Sequence, residues 1–161
     1  MEILNETLFE EHIAECLKNS ALYNQRTSDN FSIESLCDKE MLGHFLKAQP
    51  VAWQMLTTSY PGEEVETVVK YYNQKLNHGD GLLHLLRKGI TIKGKNIKFV
   101  QFKPVLEGPG TVAYDLYERN RFSVVRQMHY SIDEKDKGNE LDLCILVNGL
   151  PLFTFELKNE G

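Results

Sequence analysis

Cysteine is scarce in this chain, and its scarcity limits the kinds of site that the chain can build. Cys16, Cys37 and Cys144 lie in separate helical or strand patterns, without the paired spacing of a zinc site. Such an odd, unclustered set is typical of reduced thiols in a cytoplasmic protein. No apolar run approaches the roughly 20 residues that span a bilayer. The acidic N-terminus also lacks the basic and apolar segments of a secretory signal. We therefore expect a cytoplasmic chain with no membrane partner.

Positive charge is in the minority as well. The chain has 18 lysines and arginines against 23 acids, a net charge of -5. A free-standing nucleic-acid-binding domain usually has a basic excess, so the overall charge does not favour one. It does not exclude an enzyme whose acids hold a metal and whose DNA is delivered by other parts of an assembly. The five histidines are scattered, and no Gly-x-Ser-x-Gly or Cys-His-Asp arrangement indicates a nucleophilic hydrolase.

The length of 161 residues suits one hydrophobic core, so we predict a single domain over residues 1–161. Apolar periodicity predicts helices over residues 8–18, 63–76 and 82–88, and another from just after Asp38 to just before Gln49. A short helical turn is predicted at Trp53. Residues 20–32 are polar and predict a loop. From Ile90 onward the period changes to two, with a hairpin at 90–102, a strand at 121–130 and a final hairpin. The predicted fold is α+β, a mixed or antiparallel sheet flanked by helices.

The final hairpin carries the most informative polar residues. Two apolar runs flank Asn148-Gly149, the strongest short-range hairpin signal. Asp142 interrupts the first run, while Glu156 and Lys158 interrupt the second at a spacing that puts both on one face of a strand. Ionised groups in such apolar strands are costly unless something pairs with them. A divalent cation and a phosphate would do so.

The register of this hairpin decides whether Asp142 faces Glu156. A two-residue turn would pair Val147 with Leu150 and turn Asp142 away from Glu156. A three-residue loop with a glycine bulge, or a bulge near Pro151, would bring both acids to one face. We predict a connection with an odd number of residues. We also predict irregular pairing near Pro151, because proline has no N–H to donate to the hydrogen-bond ladder between strands. The alternative is a hairpin with one solvated face, where Glu156 and Lys158 form a surface pair worth about 0 to 1 kcal/mol.

Basic residues are grouped in two places. One run surrounds the first hairpin at Lys93, Lys95, Lys98 and Lys103. The simplest explanation of this lysine run is that it keeps the edge strand solvated and discourages pairing with another strand. The alternative is that these lysines contact a phosphate backbone. Arg121 and Arg126 lie just before the final hairpin, where we expect contact with DNA.

Several stretches together resemble one protein family. Asp142 with Glu156-x-Lys158 resembles the P-D…(D/E)-x-K nuclease core, with Leu141 in place of the proline. The chain also resembles the N-terminal domain of the R (restriction and translocation) subunit of type I restriction-modification enzymes. The similar stretches are residues 9–13, 38–53, 86–90, 119–122 and 142–159. The segment from Asn148 to Leu152 is the most specific part of this resemblance.

The resemblance implies a restriction-endonuclease-like core and an Mg²⁺-dependent endonuclease that cuts double-stranded DNA. Asp142 and Glu156 would bind Mg²⁺, and Lys158 would act beside them as a catalytic residue. An additional acid on the first helix would be a third metal ligand, with Glu10 as the match and Glu6 as the alternative. The implied partners are DNA and the methylation and specificity subunits of a restriction complex.

The resemblance also implies parts that this sequence does not contain. A Gln-x-x-x-Tyr element would follow the lysine, and an ATP-driven motor would follow later. No Gly-x-x-x-x-Gly-Lys-Ser/Thr phosphate loop occurs here, so ATP is expected to act only through those motor domains. We expect an N-terminal, C-terminally truncated fragment that cleaves poorly or not at all by itself. A non-catalytic docking or regulatory module with the same fold is the alternative function, and a standalone nuclease is disfavoured.

Overall fold

A computed structural model describes residues 6–20, 23–130 and 139–158. The helices are α1 (Glu6–Asn19), α2 (Lys39–Lys47), α3 (Pro50–Ser59), α4 (Glu64–Asn77), α5 (Leu82–Lys88) and α6 (Val112–Tyr117). The strands are β1 (Tyr23–Arg26), β2 (Ile90–Ile92), β3 (Lys95–Ile97), β4 (Phe122–His129), β5 (Glu140–Val147) and β6 (Leu150–Phe155). The α+β class is confirmed. None of the described helices is both long and apolar enough to cross a membrane.

The chain divides into two compact units. One consists of Met1–Asp38 together with Arg121–Gly161, and the other of Lys39–Asn120. The first unit contains the final hairpin, and the second contains the basic hairpin β2–β3. The single domain expected from the length stays a prediction.

A four-stranded mixed sheet organises the first unit, in the order β1-β4-β5-β6. Strand β1 runs parallel to β4, and the other pairs are antiparallel, so the predicted mixed sheet is confirmed. Helix α1 packs on one face of the sheet. The buried side chains of that face are Ala14, Val124 and Leu143, with Ile13, Leu17 and Leu157 packed against them. The buried side chains of the opposite face are Phe31, Val125, Met128, Cys144 and Leu146.

Helices dominate the second unit, where α2, α3 and α4 pack against one another and α3 packs on β3. Tyr72 and Phe99 meet edge to face in this core, with ring centroids 5.4 Å apart. Helix α3 is longer than the short turn expected around Trp53. It begins at Pro50, whose fixed φ and missing N–H suit the first turn of a helix.

Two elements escaped the sequence prediction. Strand β1 lies in the segment 20–32 that was predicted to be a loop, so that prediction is wrong for Tyr23–Arg26. Its sequence Tyr-Asn-Gln-Arg has no apolar alternation, because it is an edge strand ordered by pairing with β4. Helix α6 has only six residues and follows a glycine- and proline-rich loop, too short for a periodicity. Its cap is the Thr111 hydroxyl, which accepts from the Tyr114 N–H.

Candidate active site at the final hairpin

The turn of the final hairpin contains two residues, Asn148 and Gly149. Val147 pairs directly with Leu150, so the expected odd-length connection is wrong. The physical reason is that φ is 49° at Asn148 and 84° at Gly149, and Asn-Gly readily adopts the two positive φ values of a tight hairpin turn. The buried Asn148 fixes the turn further, because its N–H donates to the Arg121 carbonyl and its Oδ1 accepts from the Arg121 N–H, each at 2.8 Å.

A β-bulge beside Pro151 corrects the register instead. Leu146 pairs with Pro151, but the next pair is Ile145 with Phe153, so Leu152 has no opposite residue. The irregular pairing predicted near Pro151 is therefore confirmed. Beyond the bulge, the residue numbers of each opposed pair add up to an even number, which is what Asp142 and Glu156 need to share a face. This register continues as far as the pair Leu143 and Phe155. This last pair joins the neighbour of Asp142 to the neighbour of Glu156, where β6 ends.

Asp142 also bonds directly to the segment that carries the other two polar residues. Its Oδ2 accepts a hydrogen bond from the backbone N–H of Leu157, the residue between Glu156 and Lys158. Asp142 is partly buried, whereas Glu156 and Lys158 are exposed. In the part of the chain that the structure describes, neither Glu156 nor Lys158 forms an ion pair, so the surface pair of the alternative interpretation is not formed. Both charged heads can accept an external ligand.

Strand β4 is irregular where it passes Asp142. Arg126 pairs with Leu143 and Met128 pairs with Leu141, but Gln127 between them has a φ of 48° and makes no ladder pair. Regular alternation would put Met128 and Leu143 on one face, yet Met128 packs on the opposite face, as does Leu141. The left-handed Gln127 thus interrupts the alternation of β4 between Arg126 and Met128. Backbone conformations of this kind cluster at functional sites, and no sequence pattern signals this one.

Glu10 is placed differently from the other two acids. It is buried on α1, and its Oε1 lies 2.6 Å from Arg126 Nε, while the neighbouring Glu11 lies 3.6 Å from Arg126 Nη1. Among the residues that the structure describes, no three His, Cys, Asp or Glu side chains are grouped closely enough to hold a metal. Glu10 therefore does not join Asp142 and Glu156 in such a group. The alternative acid Glu6 is partly buried on α1 and has a polar partner of its own.

The two arginines expected to contact DNA differ in their surroundings. The Arg126 guanidinium is engaged by Glu10 and Glu11. Arg121 precedes β4, is exposed, and forms no ion pair with any described residue. Of the two, only Arg121 has a side chain that is available to a phosphate without breaking an ion pair.

The cysteine nearest to the site does not contribute a nucleophile. Cys144 lies on β5 two residues from Asp142, and burial raises the pKa of its thiol to about 11. The thiol is therefore protonated at neutral pH, and the thiolate is the reactive form of cysteine. None of the three cysteines forms a disulfide.

Comparison with models of protein families gives a match over nearly the whole chain. A family model described as the N terminus of the type I restriction enzyme R protein matches residues 4–161. No curated protein matches the chain. No solved structure matches it either. A restriction-endonuclease-like core fits the α+β architecture and the mixed four-stranded sheet.

Proposed function

The chain belongs to the family of type I restriction enzyme R protein N termini, and we propose that it is an Mg²⁺-dependent endonuclease domain that hydrolyses phosphodiester bonds of double-stranded DNA. One observation carries this proposal. The bulge at Leu152 gives a register in which Leu143 pairs with Phe155, the neighbours of Asp142 and Glu156, and the Asp142 carboxylate accepts the N–H of Leu157, next to both Glu156 and Lys158. Three residue types suited to metal-assisted phosphodiester hydrolysis therefore lie at the same end of one hairpin.

The two carboxylates suit magnesium as ligands. Mg²⁺ prefers oxygen and is usually held by one or two carboxylates, with waters and a substrate phosphate as its other ligands. Asp142 and Glu156 would hold it in this way, without a third acid. Asp142 uses Oδ2 for one hydrogen bond, and a carboxylate has about four lone-pair sites, so it keeps acceptor capacity for a cation. A bound magnesium ion supplies polarisation of the phosphoryl group and a lower pKa for water.

Lys158 contributes the positive charge on the protein side. Its ammonium group is exposed on a flexible stem, and no described acid neutralises it. We assign it two tasks, to orient the attacking water and to offset the negative charge that develops on the phosphate. A group that stabilises charge mainly in the transition state raises the rate more than it tightens substrate binding.

The wider setting is part of the same proposal. In the cytoplasm, methylation and specificity subunits would associate with the protein that contains this domain and would select the DNA sequence. ATP would act through motor domains of that protein. Arg121 would contact the DNA backbone near the hairpin, since its guanidinium is exposed and lies just before β4.

A second candidate function is a docking module that keeps the nuclease fold without catalysis. It is favoured by the lack, among the described residues, of a group of three side chains that could hold a metal. Affinity for a divalent cation separates the two functions, because a docking module needs no cation at Asp142.

The proposal is tested by calorimetric titration of the chain with Mn²⁺. We expect a site-specific heat for the wild type and none for Asp142→Asn, which keeps an oxygen that can accept from Leu157 N but loses the charge. Asp29→Asn is the matched control, because Asp29 is an exposed acid of the same unit, and it should titrate as the wild type does. A wild-type chain without site-specific heat would point to the docking module.

A further inference from the structure

Charge is distributed very unevenly along this acidic chain. Between Asp80 and Glu107 there is no acid at all, so the 23 acids all lie outside this stretch. Six of the 18 cations fall within it, at Arg87, Lys88, Lys93, Lys95, Lys98 and Lys103. A local excess of this kind in a chain of net charge -5 indicates a surface made for an anionic partner.

The end of α5 is pinned against β3, which brings cations from two elements together. Gly89 closes α5 with a φ of 69°, and a Cβ there would lie 2.1 Å from the Ile97 carbonyl oxygen, so only glycine permits this approach. The Asn96 side-chain amide donates to the Lys88 carbonyl at 2.9 Å. Lys88 and Lys95, the residue before Asn96, are therefore held near each other.

The backbone on either side of this contact is also held in place. The buried Gln49 bonds both polar groups of the Lys98 backbone, accepting from its N–H at 2.9 Å and donating to its carbonyl at 2.8 Å. Lys93 sits in the β2–β3 turn, with its Nζ 5.1 Å from the centroid of the Tyr60 ring. The backbones that carry the lysines are thus ordered, and only the flexible stems need to adapt to a ligand.

We name Arg87, Lys88, Lys93, Lys95 and Lys98 the basic surface. All five are exposed, and none forms an ion pair within the described ranges. The dipole of α5 explains cations in its last turn, and edge protection explains a lysine on β3. Neither explains Lys98, which follows the strand, or the absence of any acid over the whole stretch.

We propose that the basic surface binds the phosphate backbone of double-stranded DNA without reading its sequence. The inference rests on the proposed function, since it takes the substrate class of the hairpin site as the partner of this second surface. Four of its five cations are lysines, which contact phosphates as point charges and do not make the bidentate contacts through which arginine reads guanine. The surface supplies affinity, and the hairpin site supplies chemistry.

The test removes three charges from the hairpin part of this surface. The triple variant K93Q/K95Q/K98Q keeps most of each aliphatic stem and is compared with the wild-type chain for binding of a 30-base-pair duplex. Fluorescence anisotropy is recorded in EDTA over a series of salt concentrations. We expect affinity to fall by about tenfold or more, equally for unrelated sequences, and the slope of log K against log salt to shrink by about 3.

The matched control is K18Q/K70Q/K75Q, which removes the same charge from exposed lysines outside the basic surface. It should keep most of the affinity, and circular dichroism should give all three proteins the same melting temperature. A wild-type chain that does not bind the duplex would overturn the proposal, as would equal losses in both triple variants. Equal binding of a poly-glutamate peptide would also overturn it, in favour of an acidic protein partner.

The binding measurement is independent of the hairpin chemistry. EDTA removes divalent cations, so a failed nuclease proposal leaves the duplex titration unchanged. Conversely, a failed basic surface leaves the Mn²⁺ titration of Asp142→Asn unchanged. The two proposals therefore fail separately.

Discussion

Replacing Lys158 by alanine is expected to abolish DNA cleavage by the assembled restriction enzyme and to leave the fold intact. Positioned acid–base groups contribute about 10² to 10⁴ in rate, so we expect a loss of at least about a hundredfold. Stability should not change, because Lys158 is exposed and forms no ion pair with the described residues. Cleavage of a plasmid under single-turnover conditions, with thermal unfolding in parallel, measures both quantities.

A matched lysine shows whether the effect is specific. Lys18 is an exposed lysine in the last turn of α1, on the same compact unit. Lys18→Ala should cut at the wild-type rate. Wild-type cutting by Lys158→Ala would remove this residue from the mechanism, whatever the cation titration shows.

Replacing Glu10 by alanine is expected to destabilise the first unit by about 2 kcal/mol. Its side chain is only 5% exposed and lies 2.6 Å from Arg126, so the variant leaves a partly buried guanidinium with a weaker partner. Removing one member of a fully buried pair costs about 3 to 5 kcal/mol. Arg126 is 26% exposed and keeps Glu11 at 3.6 Å, which lowers the expected cost.

Glu11→Ala is the control for this prediction, because Glu11 faces the same arginine but is 53% exposed. Surface pairs contribute about 0 to 1 kcal/mol, so we expect little change. Thermal unfolding measures both variants, and about 2 kcal/mol corresponds to roughly 4 to 8 °C in a chain of this size. Equal melting temperatures for the two variants would contradict a structural role of the Glu10–Arg126 pair.

The same Glu10→Ala protein addresses the metal role predicted for this acid. If Glu10 were a third ligand, Mn²⁺ affinity would fall together with stability. A stability loss with unchanged Mn²⁺ affinity would instead leave Asp142 and Glu156 as the metal ligands. The ion pair with Arg126 makes this second result the expected one.

Much of the hairpin site could be read from residue types alone. Asn148-Gly149 marked the position of the turn but not its two-residue length. The interrupting charges singled out Asp142, Glu156 and Lys158 as candidates, and Pro151 predicted irregular pairing. The position of the bulge was a different matter. For Asp142 and Glu156 to share a face, one strand or the loop had to contain one extra residue. Only the observed pairing of β5 with β6 located that residue at Leu152.

The setting of the remaining polar residues depends on distant parts of the chain. Glu10 and Arg126 are separated by more than a hundred positions and meet because α1 packs on the face of β4 that carries Arg126. Helical periodicity places Glu10 beside the core but cannot name the residue opposite it. The left-handed Gln127 is likewise invisible to a pattern of residue types, since glutamine rarely adopts that conformation.

Local chemistry and long-range packing thus account for different parts of this protein. Turn preferences, apolar periodicity and the cost of charge in an apolar strand act over a few residues, so the amino-acid order was enough to predict the α+β class and the position of the hairpin turn, but not its two-residue length. It also singled out three polar residues of the hairpin as candidates. Strand β1, the bulge at Leu152 and the partner of Glu10 arise from pairing and packing between segments far apart in the chain. Those interactions exist only when the chain is folded, and for that reason the folded structure alone bonded Asp142 to the Leu157 N–H and engaged Glu10 with Arg126.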